Sequence, residues 1–294
     1  MKRLIVNADD FGLAPGVNSA IAELARAGAL SSTTLMAAGP FFSAAAELAL
    51  AEPALGVGCH IVLTDGVPVL PASEVRSLLD PGNPASGCFR PQLTAFIRDL
   101  WLGRIRKQEI EAEACAQIRR LQSCGIQVTH LDSHKHTHIF SRVLDPLLRA
   151  AKACGIRAMR NPFEPGWSLR ATPGAGRLRR LEVHALRIPG FAFARAAREN
   201  GIHTTDGSIG MLATGSLDQA ALSSLLQAMP DGVWELVCHP GYRDAVLDRT
   251  ATRLRDSREM ERSALLATVP PRRGHDPNFR LVSFRDLVLE SVRD

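Results

Sequence analysis

Acidic and imidazole side chains in this sequence follow, or lie within, short apolar runs, and together they could bind a metal ion and hydrolyse a bond. Asp9 and Asp10 are adjacent and come directly after the run Leu4–Ala8. His60 lies inside the run GVGCHIVL, and His239 follows another apolar run, before a Pro-Gly pair that ends it. Neighbouring carboxylates repel each other and need a counter-charge, and imidazole is a common metal ligand. Each residue alone could be a cap, turn or core residue, but their combination favours a functional site.

The segment THLDSHKHTH holds four of the nine histidines of the chain. In it, imidazoles and one carboxylate occupy alternate positions: His130, Asp132, His134, His136 and His138. Side chains two residues apart in a strand share one face, and the interior of a barrel does not bury so many imidazoles without a ligand. We therefore predict a metal or proton-transfer site here, with some of these histidines in the loop after the strand.

Three separated strands thus offer one carboxylate and two imidazoles to a cation, a set that suits Zn²⁺ and also harder divalent ions. Asp9 then remains as a general base for the water at the metal, and His239 as a general acid for a leaving amine. These parts predict metal-assisted hydrolysis of an amide. Two alternatives stay open: another metal-dependent hydrolase, acting on a phosphoester or a cyclic amide, and a non-catalytic metal-binding protein. The first would need more carboxylates or a glycine-rich anion cradle, and the second a fourth protein ligand.

Short apolar runs alternate with helical segments along the chain, which is the pattern of a parallel sheet covered by helices. About seven or eight such units predict one α/β domain, residues 1–294, folded as a distorted (β/α) barrel of parallel strands. The candidate residues fit this fold because active sites of such barrels lie at the carboxyl ends of the strands. The expected strands are 4–8, 32–38, 56–63, 128–133, 157–160, 202–206 and 234–238, with a last strand–helix pair in 279–292.

Two irregular segments are predicted to face the substrate, because long loops in compact domains usually act as lids or binding loops. One is Thr64–Gly87, which is rich in proline and glycine, and the other is Asn161–Arg180, which also carries several arginines. Between β-type runs, Phe89–Gly125 is predicted to be mostly helix. Its polar face is expected to carry Glu111, Glu113, Arg119 and Arg120.

Composition and charge narrow the class of protein. Apolar residues make up 46% of the 294 and charged residues 22%, as in ordinary globular proteins. The net charge is +5, and we interpret the arginine clusters in 170–187 and 249–273 as solvated surface, since no nucleic-acid motif accompanies them. The six cysteines form no CxxC pair and indicate buried thiols in a reducing compartment. No signal peptide or membrane span is predicted, so we expect a cytoplasmic protein.

Four segments resemble the YdjC/ChbG family of carbohydrate deacetylases: IVNADDFG, GVGCHIVLTDGVPVLP, THLDSHKHTH and ELVCHPGY. The resemblance covers nearly the full length. It implies a barrel related to polysaccharide deacetylases, one divalent ion (Mg²⁺ or Zn²⁺), removal of acetyl from an N-acetylglucosamine unit of an oligosaccharide, and a homodimer. A branch associated with hopanoid biosynthesis implies instead a lipid-linked sugar, and the basic segment 161–180 would suit peripheral contact with a membrane.

The resemblance also implies roles for residues that match the family's motifs. These are Asp10, His60 and His134 as metal ligands, Asp9 as catalytic base and His239 as acid. Arg160 is similar in placement to a substrate-binding arginine, although a surface arginine at a strand end is an equal alternative. Lys135 stands where many relatives carry an uncharged residue, and by strand parity we expect its side chain to face away from the metal. The motifs assign no role to His130, His136 and His138.

Overall fold

The structure is a computed structural model that describes residues 1–172, 190–270 and 279–290. The strands of these residues are β1 (Lys2–Phe11), β2 (Ser32–Leu35), β3 (Gly56–Ile61), β4 (Val128–Ser133), β5 (Gly207–Ile209), β6 (Gly232–Cys238) and β7 (Arg280–Leu281). The α-helices are α1 (Pro15–Arg26), α2 (Phe42–Ala51), α3 (Leu93–Trp101), α4 (Lys107–Ser123), α5 (Ser141–Ala153), α6 (Gly166–Ala171), α7 (Gly190–Glu199), α8 (Gln219–Ala228), α9 (Ala245–Arg249), α10 (Asp256–Thr268) and α11 (Phe284–Glu290). Two short 3₁₀ helices cover Pro84–Ser86 and His134–Ile139.

The named strands pair only in parallel, in the order β4-β3-β2-β1-β6-β5, with β7 paired to β1. Single-residue bridges, from Leu131 to Met159 and from Ala158 to His203, span the side between β4 and β5. The sheet therefore curves round into a distorted barrel with helices outside, and the predicted α/β barrel class is confirmed. That residues 1–294 form one domain stays a prediction.

Two of the expected strands differ in the structure. Residues 157–160 form only the single-residue bridges, and the strand expected at 202–206 is wrong because the regular pairing begins later, in β5. The Nδ2 group of Asn161 donates to the carbonyl of Thr205 at 3.0 Å. A side chain thus takes a backbone hydrogen bond that a longer strand would have used in its ladder.

The helix expected over Phe89–Gly125 is two helices, α3 and α4, and Gly103, with φ 71°, lies between them. The expected polar face of α4 is wrong for Glu113, which is fully buried. Its carboxylate accepts the backbone N–H groups of Val69 at 2.8 Å and Leu70 at 3.1 Å. Burial raises the pKa of Glu113. The residue therefore attaches the long loop after β3, which is irregular as predicted, to the body of the protein.

Alternate residues of the strands face the barrel interior in two layers. The layer near the amino ends is apolar and consists of Ile5, Ala158, Val233, Val282 and Phe284. The ring of His130 stacks on Phe284 at 3.9 Å between centroids. Gly58 makes room for that ring, since a Cβ on it would lie 2.4 Å from Cε1 of His130. The layer above is polar and carries the charged residues of the candidate site.

Expectations from composition have mixed outcomes. All six cysteines are free thiols, as predicted; Cys59 and Cys238 are buried, but Cys124 is exposed. Across the described ranges, no helix combines the length and the apolar character needed to cross a bilayer. Residues 173–180 of the arginine-rich segment 161–180, and most of 170–187, lie outside the described residues.

Candidate metal centre

A bulge in β1 turns two consecutive aspartates toward one cavity. The pairing register with β2 shifts between Ala8 and Phe11, and Asp10 has a left-handed backbone with φ 66°. In a regular strand Asp9 and Asp10 would point to opposite faces, but a bulge re-aims one of them. Both side chains are buried and line the same cavity. A left-handed non-glycine residue costs about 1–3 kcal/mol, so the contacts of Asp10 must hold it in place.

Asp10, His60 and His134 lie together. The Oδ1 atom of Asp10 is 3.7 Å from Nε2 of His60 and 3.6 Å from Nδ1 of His134. One donor atom from each residue lies within 4.8 Å of the other two. His60 belongs to β3 and His134 directly follows β4, so the ends of three strands supply the group. One ion can contact all three donors at these separations.

His60 is oriented from behind by a second carboxylate. Its Nδ1 lies 2.7 Å from Oδ1 of Asp132, which leaves Nε2 directed at Asp10. Burial alone would lower the pKa of His60, but the nearby Asp132 carboxylate raises it to about 9. A carboxylate behind a histidine fixes its ring and tautomer and is the usual arrangement behind a metal-binding imidazole.

Arg258, on α10, holds the other oxygen of Asp10. Its Nη2 donates to Oδ2 at 2.6 Å, and its side chain is 1% exposed. Burial would raise the pKa of Asp10, but the Arg258 charge and then His134 hold it well below its ordinary range. Asp10 is therefore an ionised carboxylate with one oxygen free for a cation. The interpretation of segment 249–273 as solvated surface is wrong for Arg258.

Arg160 lies at the centre of the polar layer and not at the cavity surface. Its Nη1 and Nη2 donate to the two carboxylate oxygens of Asp9 at 2.8 and 2.6 Å. The guanidinium also pairs with Asp132 at 2.6 Å and with Glu235 at 2.7 Å. With no exposed surface, Arg160 has no access to a substrate. The expected substrate contact is therefore corrected, and Arg160 instead positions carboxylates.

The three carboxylates around Arg160 do not share its charge equally. Burial opposes ionisation of Asp9, but the bidentate Arg160 contact holds the pKa of Asp9 far below its ordinary range. Burial raises the pKa of Glu235 to about 7, although Arg160 opposes it. The Asp9 carboxylate is thus ionised before it meets a substrate. Nδ2 of Asn7 also donates to it at 2.9 Å.

His239 directly follows β6 and faces Asp9 across the cavity floor. Its Nε2 is 3.9 Å from Oδ2 of Asp9, and its side chain is 13% exposed. The backbone N–H of His239 donates to Oε2 of Glu261 at 2.6 Å. Its Nδ1 lies 4.0 Å from that oxygen and has no hydrogen-bond partner within the described part of the chain. The imidazole therefore presents Nε2 to the cavity.

The alternate histidines of THLDSHKHTH do not share one face, because β4 ends at Ser133 and a 3₁₀ helix follows. His130 stays inside the barrel, whereas His134 and His136 line the cavity. His138 is fully buried, with Nδ1 2.6 Å from Oγ of Ser133. Burial holds the pKa of His136 at about 3. The segment therefore divides between the interior and the candidate site.

Lys135 lies at the cavity wall, and the expectation that it faces away is wrong. Its backbone is left-handed, with φ 54°, so strand parity no longer sets its direction. Its Nζ donates to Oδ2 of Asp65 at 2.8 Å, and both residues line the cavity. The carboxylate of Asp65 therefore offsets the positive charge of Lys135, the residue that follows His134 in the chain.

The cavity above these residues has a volume of about 460 Å³, within the range of roughly 300–1,000 Å³ common for small-molecule sites. Its floor holds the five predicted residues Asp9, Asp10, His60, His134 and His239. Its walls combine apolar and hydroxyl side chains, among them Leu13, Met36, Met211, Leu254, Thr214, Thr250 and Thr252.

The donor set fits a divalent ion. A carboxylate oxygen and two imidazole nitrogens converge, and one imidazole has the carboxylate behind it that such ligands need. Among the described residues, no fourth donor joins Asp10, His60 and His134, as in catalytic rather than structural metal sites. A second group, Asp9 with His60 and Asp132, is also close, but Arg160 already occupies both of its carboxylates.

Arg258 and Glu261 were missed by the sequence analysis, although a signal for them exists. They share the inward face of α10 with Ala264 and Leu265, all of them buried. Their spacing of three and four residues is that of a core-facing helical stripe. Charged residues in such a stripe need buried partners, and here the partners are the functional residues of the cavity.

Comparison with known proteins identifies a family that matches this chain and a solved structure with a similar fold. Residues 3–269 match the family described as YdjC-like protein. A carbohydrate deacetylase of Brevibacillus brevis is 32% identical over 287 residues, which cover 97% of this chain and 99% of that protein. A carbohydrate deacetylase of Mus musculus is 32% identical over 261 residues, which cover 82% and 78%. A crystal structure from Enterococcus faecalis V583, described as a cellobiose-phosphate cleavage protein, has a TM-score of 0.74 and 24% identity, and covers 97% of this chain and 98% of that one. This last likeness supports the fold.

Fold and site together define an α/β barrel protein with an open Asp–His–His group at the carboxyl ends of its strands. The chain belongs to the YdjC-like family. The resemblance inferred from four short motifs is thereby confirmed, whereas the hopanoid-associated branch stays a prediction.

Proposed function

We propose that this chain is a metal-dependent hydrolase that removes the N-acetyl group from an N-acetylglucosamine unit of an oligosaccharide or glycolipid. The observation that carries the proposal is the convergence of Asp10, His60 and His134 on one cavity floor. Asp9 and His239 stand beside this group, 3.9 Å apart. Relatives at 32% identity that are named carbohydrate deacetylases support an acetylated sugar as substrate.

The chain supplies a base and an acid for the two proton transfers of amide hydrolysis. When bound by Asp10, His60 and His134, Mg²⁺ or Zn²⁺ would polarise the acetyl carbonyl and acidify a water molecule. Asp9 would accept a proton from the attacking water molecule as the oxygen of that water adds to the acetyl carbon. His239 donates a proton from Nε2 to the sugar nitrogen as the C–N bond breaks, which releases acetate and a free amine.

Arg160 determines how Asp9 can act. Because the guanidinium holds both oxygens of Asp9, the carboxylate is ionised and fixed in direction at any physiological pH. The same contact makes it a weak base, so it accepts a proton only from a water molecule that is already acidified. This dependence explains why the base stands directly beside the three donors.

Part of the cavity wall suits a sugar with an acetyl group. Met36 and Met211 are apolar and able to pack against a methyl group or a sugar ring face. Thr214, Thr250 and Thr252 line the same space, and each hydroxyl keeps hydrogen-bonding capacity for a pyranose beyond its own backbone contact.

The proposal is tested by acetate release from N,N′-diacetylchitobiose with the purified protein and added Mg²⁺ or Zn²⁺. His134→Ala is expected to lose metal binding in calorimetry together with acetate release, because one of three donors is gone. Asp9→Asn is expected to keep the metal and to lose at least 100-fold in kcat, the scale of general-base catalysis. His203→Gln, outside the cavity, is the matched control. Metal binding that survives in His134→Ala would contradict the proposal, as would phosphate release from a phosphoester substrate without acetate release from N,N′-diacetylchitobiose.

We further propose that the enzyme works in the cytoplasm, where its free cysteines would stay reduced, and that it is a homodimer, as the family resemblance implies. Light scattering after size exclusion tests the dimer, and a monomer at micromolar concentration would contradict it.

The glycolipid substrate rests on the basic segment 161–180, which extends outside the described residues. Flotation with vesicles of anionic lipid tests membrane contact, and vesicles of neutral lipid are the control.

A further inference from the structure

We propose that a second groove, between the long loop after β3 and helix α3, binds a phosphate-type oxyanion. The groove has a volume of about 790 Å³, and its lining includes Arg76, Arg90 and Arg104. None of its lining residues lines the metal-centre cavity. The proposal is independent of the deacetylase activity, because it concerns a separate set of side chains.

Arg90 provides the strongest evidence, because it is a buried guanidinium with an unused donor. Its Nε donates to Oδ2 of Asp99 at 2.9 Å, and its Nη1 donates to the carbonyls of Ser77 and Leu79 at 2.8 and 2.9 Å. Its Nη2 has no hydrogen-bond partner among the residues that the structure describes. The residue is 4% exposed and lines the groove. Nη2 is not one of the enclosed polar atoms that lack a partner, so it opens onto the groove, where an anion would accept its hydrogen bond.

The charges around the groove favour an anion. Arg98 and Arg104 donate to Oδ1 of Asp99 at 3.0 and 3.1 Å, so this carboxylate already has three guanidinium partners when Arg90 is included. Arg76 has neither a hydrogen bond nor an ion pair with any described residue. Among the residues that line the groove, three guanidinium groups, those of Arg76, Arg90 and Arg104, therefore face the two carboxylates of Asp80 and Asp99. The planar fork of arginine suits bidentate binding of an oxyanion such as phosphate.

The groove is connected to the metal centre through the backbone of Arg90. Its carbonyl accepts Oγ1–H of Thr64 at 2.7 Å and the N–H of Asp65 at 2.9 Å. Asp65 lines the metal-centre cavity and binds Lys135. An anion that holds the side chain of Arg90 would therefore also stabilise one wall of the other cavity.

Calorimetric titration with inorganic phosphate tests the site, with sodium chloride added to keep the ionic strength constant. We expect saturable binding to the wild type, and binding at least tenfold weaker to the double variant Arg76→Ala/Arg104→Ala, whose two side chains are largely exposed at the groove. Arg98→Ala is the matched control, since Arg98 also binds Asp99 and is 60% exposed but does not line the groove. It should change the affinity less than threefold. Absence of saturable binding would overturn the proposal, as would equal binding by the double variant or an equal loss in Arg98→Ala.

The anion could be a group on the substrate itself or a free ion, and kinetics separates the two sources. If it belongs to the substrate, added phosphate raises KM competitively in the wild type and has no effect on the double variant. If it is a free effector, phosphate changes kcat at unchanged KM. Because the binding titration needs no turnover, its result stands whether or not the protein releases acetate.

Discussion

Glu261 fixes His239 through the backbone. Its Oε2 accepts the N–H of His239 at 2.6 Å, and its Oε1 accepts the N–H of Gly215 at 3.3 Å. Glu261 is buried on α10, whereas His239 stands at the end of β6 and Gly215 adjoins Thr214 of the cavity wall. One carboxylate thus ties the proposed acid to the segment that carries Thr214 of the cavity wall.

Glu261→Gln is expected to lower kcat by 10- to 100-fold while KM changes less than threefold. The amide nitrogen of glutamine cannot accept, so one buried N–H loses its acceptor at a cost of about 1–3 kcal/mol. His239 then departs from its place relative to Asp9. Steady-state acetate release measures both constants. The control is Glu259→Gln on the same helix, which is exposed and accepts from Arg243 at 2.9 Å. Equal kcat in Glu261→Gln and wild type would contradict the assigned role.

Arg258→Ala is expected to lower the free energy of unfolding by about 3–5 kcal/mol, because it leaves Asp10 as a buried charge without its arginine. Metal affinity should fall by roughly 10- to 100-fold, as when the partner behind a ligand is removed. Urea denaturation and calorimetry measure the two effects. Arg262→Ala, one turn further along α10, removes the pair with Glu23, which is 36% exposed, and should cost less than about 1 kcal/mol. Similar losses of stability and metal affinity in the two variants would contradict the role assigned to Arg258.

Gly58→Ala is expected to destabilise the protein by about 1–3 kcal/mol or more, because the new methyl group would lie 2.4 to 2.6 Å from three ring atoms of His130. Combined with His130→Ala, the effect should be at least about 1 kcal/mol smaller than the sum of the two single effects, since the clash is gone. Chemical denaturation of the four proteins in this cycle measures the coupling. Gly82→Ala is the control, since its nearest contact is 3.4 Å away. Strict additivity would show that His130 does not fill the space beside Gly58.

Stability is expected to fall with acid below about pH 6.5, in part through His138. Burial, and then the neighbouring His136, holds the pKa of His138 well below its ordinary range, so the unfolded chain takes up a proton that the folded chain refuses. Stability from this group is complete above the unfolded pKa of about 6.5 and falls by roughly 1.4 kcal/mol per pH unit below it. Burial also lowers the pKa of His130, so this residue contributes to the loss of stability in acid in the same direction.

Urea denaturation of the metal-free protein between pH 7.5 and 5 measures this slope. In His138→Gln the slope should be smaller by about one proton, since glutamine does not titrate. An unchanged slope in that variant would mean that His138 takes up its proton in the folded state as well.

The fold class and the floor of the site were predictable because their signals are local. Strand–helix alternation is read within short windows of sequence, and a strand end fixes where its last polar residues lie. Asp10, His60 and His134 each stand at or near such an end, so parallel strands bring them together. The bulge that turns Asp9 and Asp10 into one cavity has no comparable sequence signal, because it depends on the pairing with β2.

Contacts between distant segments were not predictable in the same way. Arg160 looked like an exposed residue at a strand end, but the barrel closes around it and surrounds it with Asp9, Asp132 and Glu235. Strand parity failed at Lys135, because two consecutive left-handed residues follow β4. Side-chain direction in a turn depends on backbone angles that a period-2 pattern does not contain.

The ion pair between Asp10 and Arg258 also bears on biosynthesis. Its partners are 248 positions apart in the chain. Most of the polypeptide must therefore be synthesised before the carboxylate of Asp10 can meet Arg258. Truncated translation products that end before α10 would carry all three metal donors but neither Arg258 nor Glu261. Such fragments would hold an uncompensated aspartate at the bulge, and only the nearly complete polypeptide can assemble the finished centre.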